Sequence, residues 1–439
     1  MNRVDTVASE AAFLVGVMLK DRSWNGTPLE ELEGLAESAG TEVVGQMTQR
    51  REKPDQATYL GSGKVDELCG MVEMTGADVV IFDNDLSPAQ TRNLEKALNV
   101  KVVDRSELIL DIFAARAQTH EARLAVELAQ LEYSMPRLKR MWTHLSRQKM
   151  GVGLRGPGEK QLEVDRRLVQ KRISDLKTQL DAIHRRRERE VAARRDSMTV
   201  SLVGYTNAGK STLLNALTGS DVLAKDALFA TLDTRTRRWH LPGWGPVLLS
   251  DTVGFVRDLP HHLIASFKAT LEEARRADLL LHVADASSPE AGDQISAAYH
   301  VLEEIGIEAK DTLLVLNKVD SLEDRARIDG LLNRYPHGIP ISARSGEGLN
   351  ALSIGVSDAL SRSFVNVDVE TGVENGRLMA YLAAQGEVLS KTFTNSHVLI
   401  HCRIPQGLLG KLERDGVTVR PHTPETAKAV ENDDMEDVA

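Results

Sequence analysis

The residues that can do chemistry begin at Gly204-Tyr205-Thr206-Asn207-Ala208-Gly209-Lys210-Ser211, with Thr212 next. They follow an apolar run, Thr199 to Val203, and open a helical run, Thr212 to Leu217. Two glycines, a lysine and a hydroxyl at this spacing between a strand and a helix make a phosphate-binding loop. Glycine lets successive backbone N–H groups turn toward one anion, and the helix N-terminus adds positive potential. Lys210 is expected to reach the β and γ phosphates of a nucleoside triphosphate, and the Ser211 hydroxyl to ligate Mg²⁺.

Three later segments select the base and complete the site. Asp251-Thr252-Val253-Gly254 ends a strand 47 residues after Gly204. Asp251 can hold Mg²⁺ through a water, and the Gly254 N–H can sense the γ phosphate. Asn317-Lys318-Val319-Asp320 ends the strand Thr312 to Leu316; a carboxylate there accepts from both N1–H and N2–H₂ of guanine, which adenine cannot offer. Ser342-Ala343-Arg344 ends the next strand, and its backbone can donate to guanine O6. Any one tripeptide could be an ordinary loop, but four at successive strand ends mark the edge where α/β sheets bind ligands. Between them Phe229-Ala230-Thr231-Leu232-Asp233 reads as a loop that closes over the γ phosphate, with the Thr231 hydroxyl on Mg²⁺. The competing reading of Thr231 is a turn threonine. The substrate and product are then GTP and GDP, with Lys210, Thr231 and Gly254 acting on the transferred group. Phe255 stands where many GTPases place a water-orienting Gln, so slow intrinsic hydrolysis is expected.

These loops need a parallel sheet covered by helices. Strand-like runs alternate with helical patterns from Ala11 to Asp104 and again from Met198 to Ser361, which predicts an α/β fold. The expected organisation is a small α/β domain (1–105), an antiparallel helical hairpin with a basic Gly-rich loop (106–196), a P-loop GTPase domain with a doubly wound, mostly parallel sheet (197–362), a small α/β domain (363–424) and an acidic tail (425–439). One long helix is predicted from Ser106 to Met135, ended by Pro136. In the second, Val169, Ile173, Leu176, Leu180 and Ile183 step by 4, 3, 4, 3, a heptad seam.

The 439 residues carry 54 Lys+Arg and 64 Asp+Glu, a net charge of -10. That total argues against a nucleic-acid partner until it is divided. Residues 134–195 hold 18 Lys+Arg and 7 Asp+Glu, an excess of 11 positive charges that leaves -21 elsewhere. A one-sided excess around a loop points to a polyanion, although a solvated helical surface is the plainer alternative. Two distant cysteines and no basic, apolar leader fit a reducing, cytoplasmic setting and a monomer, with membrane association at most peripheral.

With Gly151-Val-Gly-Leu-Arg-Gly-Pro-Gly-Glu-Lys-Gln-Leu-Glu163, Tyr59-Leu-Gly-Ser-Gly-Lys64 and Leu86-Ser-Pro-Ala-Gln-Thr91 added to the motifs above, the chain resembles the HflX family of translation-factor-class GTPases from about Ala11 to Leu360. The resemblance implies a GTPase stimulated on the large ribosomal subunit that splits or rescues stalled ribosomes under stress such as heat. It also implies that the helical hairpin approaches ribosomal RNA, a role for the arm 134–195. The alternative is a GTP-controlled binding module that regulates a protein or membrane complex. Two weaker signals are set aside. Gly61-Ser-Gly-Lys64 lacks the upstream glycine of a phosphate loop and reads as a turn opening a helix, and His397 with His401 has no third metal ligand in sequence.

Overall fold

The computed structural model describes residues 10–20, 29–141, 157–193, 198–219, 229, 235–242, 245–257, 273–304, 306–307, 312–322, 324–362, 364–394, 397–405, 409–412 and 417–422. The chain falls into two compact units, one of residues 1–193, 199–239 and 248–349, the other of 194–198, 240–247 and 350–439.

The first unit opens with β1 (Ala11–Leu19), α1 (Glu30–Ala39), β2 (Glu42–Arg51), α2 (Ser62–Thr75), β3 (Val79–Phe82), α3 (Pro88–Leu98), β4 (Lys101–Asp104) and α4 (Arg105–Arg116). The sheet order is β2-β1-β3-β4, with every neighbouring pair parallel. Helices cover both faces, which is why β1 and β3 read as continuous apolar runs. Leu14 and Ile81 pack with Leu32, Leu35 and Ile109 on one face, and Val15 and Phe82 pack with Leu68 and Leu94 on the other. The two family motifs here are used for structure. Ser87 and Gln90 form a capping box behind Pro88 at the start of α3, and the Gln90 amide donates to Asp55 O at 2.7 Å. Gly61 stands at the N-cap of α2, as the turn reading expects.

α5 (His120–Met141) and α6 (Pro157–Ala193) follow. The expected single helix from Ser106 to Met135 is two helices. Asp104 caps α4 by accepting from Glu107 N at 2.9 Å, and Thr119 Oγ1 accepts from Ala122 N at 3.1 Å to start the next. Nor does Pro136 end α5, which continues to Met141. Proline removes the bond to the carbonyl four residues back, but Arg137 braces this turn from outside. Its guanidinium lies 3.4 Å over the Tyr133 ring and donates to Tyr133 O, Leu86 O and Asp104 Oδ2. Arg137, one of the 18 positive charges of residues 134–195, is thus the ion-pair partner of the buried Asp104 carboxylate.

Leu124, Leu128 and Leu131 of α5 meet Ile173, Leu176, Leu180 and Ile183 of α6 in one apolar seam. Ion pairs flank it, Glu127 to Arg172 and Glu132 to Lys177. With Leu128 and Ile173 both at heptad position a, these join g to g and e to e. Like flanks face each other only when the helices run in opposite directions, so this is an antiparallel hairpin. The connecting loop, including Arg147, Lys149, Arg155 and the stretch Gly151 to Gly156, lies outside the described residues.

The next sheet is built from β5 (Thr199–Gly204), α7 (Lys210–Thr218), β6 (Arg235–Leu241), β7 (Gly245–Asp251), β8 (Leu279–Asp285), α8 (Ala291–Glu304), β9 (Thr312–Asn317), a 3₁₀ turn (Val319–Ser321), α9 (Arg325–Arg334), β10 (Ile339–Pro340) and α10 (Leu349–Ser361). Its order is β10-β9-β8-β5-β7-β6, and β10, β9, β8, β5 and β7 run parallel. The chain order reverses on either side of β5, so a crevice opens at the carboxyl end of that strand.

In the second unit, β11 (Phe364–Gly372), α11 (Gly376–Gln385), β12 (Glu387–Phe393), β13 (His397–Pro405), α12 (Leu409–Leu412) and β14 (Thr418–Pro421) form an antiparallel sheet, order β12-β13-β11-β14. The acidic tail 425–439 lies outside the described residues.

Candidate nucleotide-binding site

The phosphate loop is shaped by backbone that only certain residues tolerate. Gly204, Asn207 and Gly209 have φ of 140°, 60° and 90°. A side chain at Gly204 would collide with Val283 O of the neighbouring strand, and one at Gly209 with the Asn317 amide. Asparagine enters the left-handed region more readily than most residues. Lys210, the first residue of α7, is buried, and its ammonium donates to Gly204 O at 3.0 Å and Tyr205 O at 2.7 Å. Burial lowers its pKa to about 8, with Asp251 pulling the other way. Ser211 Oγ donates to Asp251 Oδ2 at 2.6 Å. This alcohol and carboxylate pair is a hard-oxygen set suited to Mg²⁺. Thr212 is half-buried on the same turn.

The segment after β7 is stitched to this loop. Phe255 N donates to Gly204 O at 3.0 Å, and Thr206 N donates to Phe255 O at 2.7 Å. Thr252 is fully buried, with Oγ1 donating to Leu202 O at 2.6 Å. Gly254 must be glycine: a Cβ would stand 2.7 Å from Thr206 Cγ2, 2.8 Å from Thr206 Cα and 3.0 Å from Lys210 Nζ. The Phe255 ring is buried with Val203, Tyr205 and Leu280, filling the core where a glutamine would face water.

Asn317 ties the base loops to the phosphate loop. Its amide donates to Ala208 O at 2.8 Å, and its carbonyl oxygen accepts from Ala343 N at 2.9 Å. Lys318, at φ 65°, pairs with Asp285 at 2.7 Å. Val319 N donates to Ile341 O, and Ser342 is buried, its Oγ accepting from Ser345 N. Asp320 and Arg344 are exposed. The sheet edge thus brings together the loop Gly204 to Ser211, Asp251 and the segments at Asn317 and Ser342. Thr231, with Ala230, Leu232 and Asp233, lies outside the described residues. Phe229, expected among the nucleotide contacts, is turned away: its ring meets Phe113 edge-on, centroids 4.5 Å apart, in the core shared with Val253 and Val256.

Sequence spacing gave no hint of a buried polar cluster beside Tyr205. Its hydroxyl donates to Glu31 Oε1 at 2.7 Å and accepts from Arg257 N at 2.6 Å. Arg105, 3% exposed, pairs with Asp83 at 2.6 Å and Glu31 at 3.0 Å, while Arg257 reaches the same two carboxylates. Its members lie up to 226 residues apart, so only the folded chain displays it. The cluster borders a cleft of about 600 Å³ lined by Tyr205, Thr206, Asn207, Asp285 and Gln294. His282, in β8 near Lys210, is held neutral by burial, its pKa lowered to about 3.

Family models match along the chain: "GTP-binding GTPase N-terminal" over residues 27–114, "GTP-binding GTPase Middle Region" over 116–194 and "50S ribosome-binding GTPase" over 199–318. GTPase HflX of Magnetococcus marinus is 48% identical over 399 residues, 89% of this chain and 92% of that protein. The chain belongs to the HflX family of GTPases. GTPase HflX of Escherichia coli is likewise 48% identical, covering 84% of this chain and 88% of its own length. A GTP-binding protein of Sulfolobus solfataricus in complex with GDP shares 24% identity over 80% of this chain and 99% of its own, with a TM-score of 0.42. As an HflX GTPase the chain binds GTP and GDP and hydrolyses the γ-phosphoryl bond.

Proposed function

We propose that this HflX GTPase binds the large ribosomal subunit in its GTP form and leaves after hydrolysis, splitting or rescuing stalled ribosomes under stress in the cytoplasm. The observation that carries the nucleotide half is the Asn317 brace, which joins the phosphate loop to Ser342-Ala343-Arg344 through two buried hydrogen bonds. The ribosomal half draws support from the "50S ribosome-binding GTPase" model and from the positive excess of residues 134–195. No described helix is long and apolar enough to cross a membrane.

In this reading the backbone N–H groups from Asn207 to Ser211 and the Lys210 ammonium grip the phosphates, and Asp320 accepts the guanine N1–H and N2–H₂. Ser211, Thr231 and, through water, Asp251 hold Mg²⁺, which would neutralise charge developing on the β and γ oxygens. The Gly254 N–H senses the γ phosphate. No residue of the Phe255 position can orient the attacking water, so hydrolysis is slow until the ribosome orders the switch loops.

Co-sedimentation with large subunits should be stronger with a non-hydrolysable GTP analogue than with GDP; equal binding sinks the switch. Asp320→Asn should weaken GTP far more than xanthosine triphosphate, and a parallel loss would remove the guanine assignment. Because Arg137 is internal, the arm is tested at its loop. Arg147→Glu with Lys149→Glu and Arg155→Glu should abolish ribosome-stimulated hydrolysis and spare the basal rate, whereas unchanged stimulation would favour a binding module for protein or membrane.

A further inference from the structure

Three side chains with metal-ligating chemistry converge in the second unit, far in sequence from the nucleotide loops. They are Asp368 of β11, His401 of β13 and His422, the residue after β14. The sheet register brings them together. Asp368 stands directly opposite His401, and on its other flank opposite Arg420, two residues before His422. His422 is fixed in turn by its backbone N–H, which donates to Asn366 O at 3.1 Å. Strand alternation decides the face. Val367, Val369, Ile400 and Cys402 enter the apolar core, so Asp368 and His401 lie on the other face of the sheet.

The His422 Nδ1 atom lies 2.9 Å and 3.0 Å from the two Asp368 oxygens. The two imidazoles are stacked, centroids 3.6 Å apart and planes 14° from parallel. One ligating atom from each of the three residues lies within 4.8 Å of the other two. Asp368 is 5% exposed, and the buried His401 Nε2 has no hydrogen-bond partner among the described residues. The sequence offered only His397 with His401, four apart on one strand. The ligands that fit come instead from two strands and the residue that follows a third.

We propose that Asp368, His401 and His422 bind one divalent ion of the Zn²⁺ class. Two imidazoles and one carboxylate suit Zn²⁺, Co²⁺ or Ni²⁺, not Mg²⁺ or Ca²⁺, which prefer all-oxygen shells. Tetrahedral ligands at about 2.0–2.1 Å from Zn²⁺ are about 3.3 Å apart. The His422–Asp368 pair is already near that separation, and a rotation of the His401 ring draws in the third. Three protein ligands leave a position for water. A shared cation also gives the stacked rings and the buried carboxylate a common partner.

The test uses the full chain, tag-free and chelator-stripped, with Mg²⁺ and GDP saturating so that the nucleotide loops do not compete. Equilibrium dialysis against Zn²⁺, and Co²⁺ titration followed by its visible absorption, should show one tight equivalent. His401→Ala and Asp368→Asn should each weaken it by at least about tenfold, since even changes behind a ligand have that effect. His397→Ala should leave it unchanged. Should the variants misfold, the imidazole ¹⁵N resonances of the wild-type chain decide: Zn²⁺ must shift those of His401 and His422. No stoichiometric uptake, uptake equal in wild type and His401→Ala, or unmoved resonances would overturn the site.

Discussion

Lys210 gives the site a pH dependence whose sign follows from its surroundings. Burial lowers its pKa to about 8, so without phosphate it sheds its proton as pH passes that value. Bound phosphates favour the charged form, so nucleotide binding above pH 8 takes up a proton and affinity should fall by about tenfold per unit. Fluorescent GDP titrations from pH 7 to 9 would show the bend; a flat profile would mean that Lys210 is not the phosphate ligand. The phosphate loop was legible in the sequence because its shape is written in residue types. Gly204 and Gly209 occupy backbone that a side chain would obstruct, and Lys210 and Ser211 have few other reasons to follow them. Asn317 and Phe229 were harder to read. An amide can touch a base or hold a loop, and the partner that decides, Ala208 O, is 109 positions away. Phe229 belongs to a core in which the ring it meets, Phe113, comes from a helix the motif does not include.

At the scale of elements, the heptad seam was readable because its information is periodic and local. The passage of α5 through Pro136 was not, because two of the groups that brace Arg137 beside it, Asp104 and Leu86, arrive from elsewhere in the fold. The buried polar clusters make unequal demands on stability. Asp83→Ala takes the 2.6 Å partner from the deeply buried Arg105 guanidinium, leaving Glu31 as its remaining carboxylate, and should destabilise by about 3 kcal/mol. Glu127→Ala removes an exposed pair with Arg172 and should change stability by less than about 1 kcal/mol. Urea unfolding of both variants tests the contrast. Glu107 supplies a pH signature. Burial, helped by the charges of Asp104 and Asp111, raises its pKa to about 7. A group raised on folding holds its proton in the folded chain while the unfolded chain has lost it. Its contribution is therefore full below the ordinary carboxylate range and declines as pH rises from about 4.5 to 7. Glu107→Gln should flatten that decline and be more stable than wild type at pH 8; a variant that unfolds in parallel with wild type across the range would refute it.

For the molecule as a whole, the charge arithmetic needs revision in one direction. Arg137, Arg172 and Lys177 of the basic stretch are matched by Asp104, Glu127 and Glu132, all outside it. Less of the excess is therefore available for a polyanion than the count suggested, and what remains is weighted toward the loop. The hairpin register has a geometric consequence for that loop. Leu124, Leu128 and Leu131 share one seam with Ile173, Leu176, Leu180 and Ile183, and their spacing makes the seam a scale graduated in heptads. Deleting one heptad from each helix keeps the remaining seam in register, yet draws the tip back by about 10 Å at 1.5 Å per residue. Such a chain should bind GDP and unfold much as wild type does. If it still responds fully to ribosomes, reach is irrelevant; if stimulation disappears, the hairpin acts as a ruler.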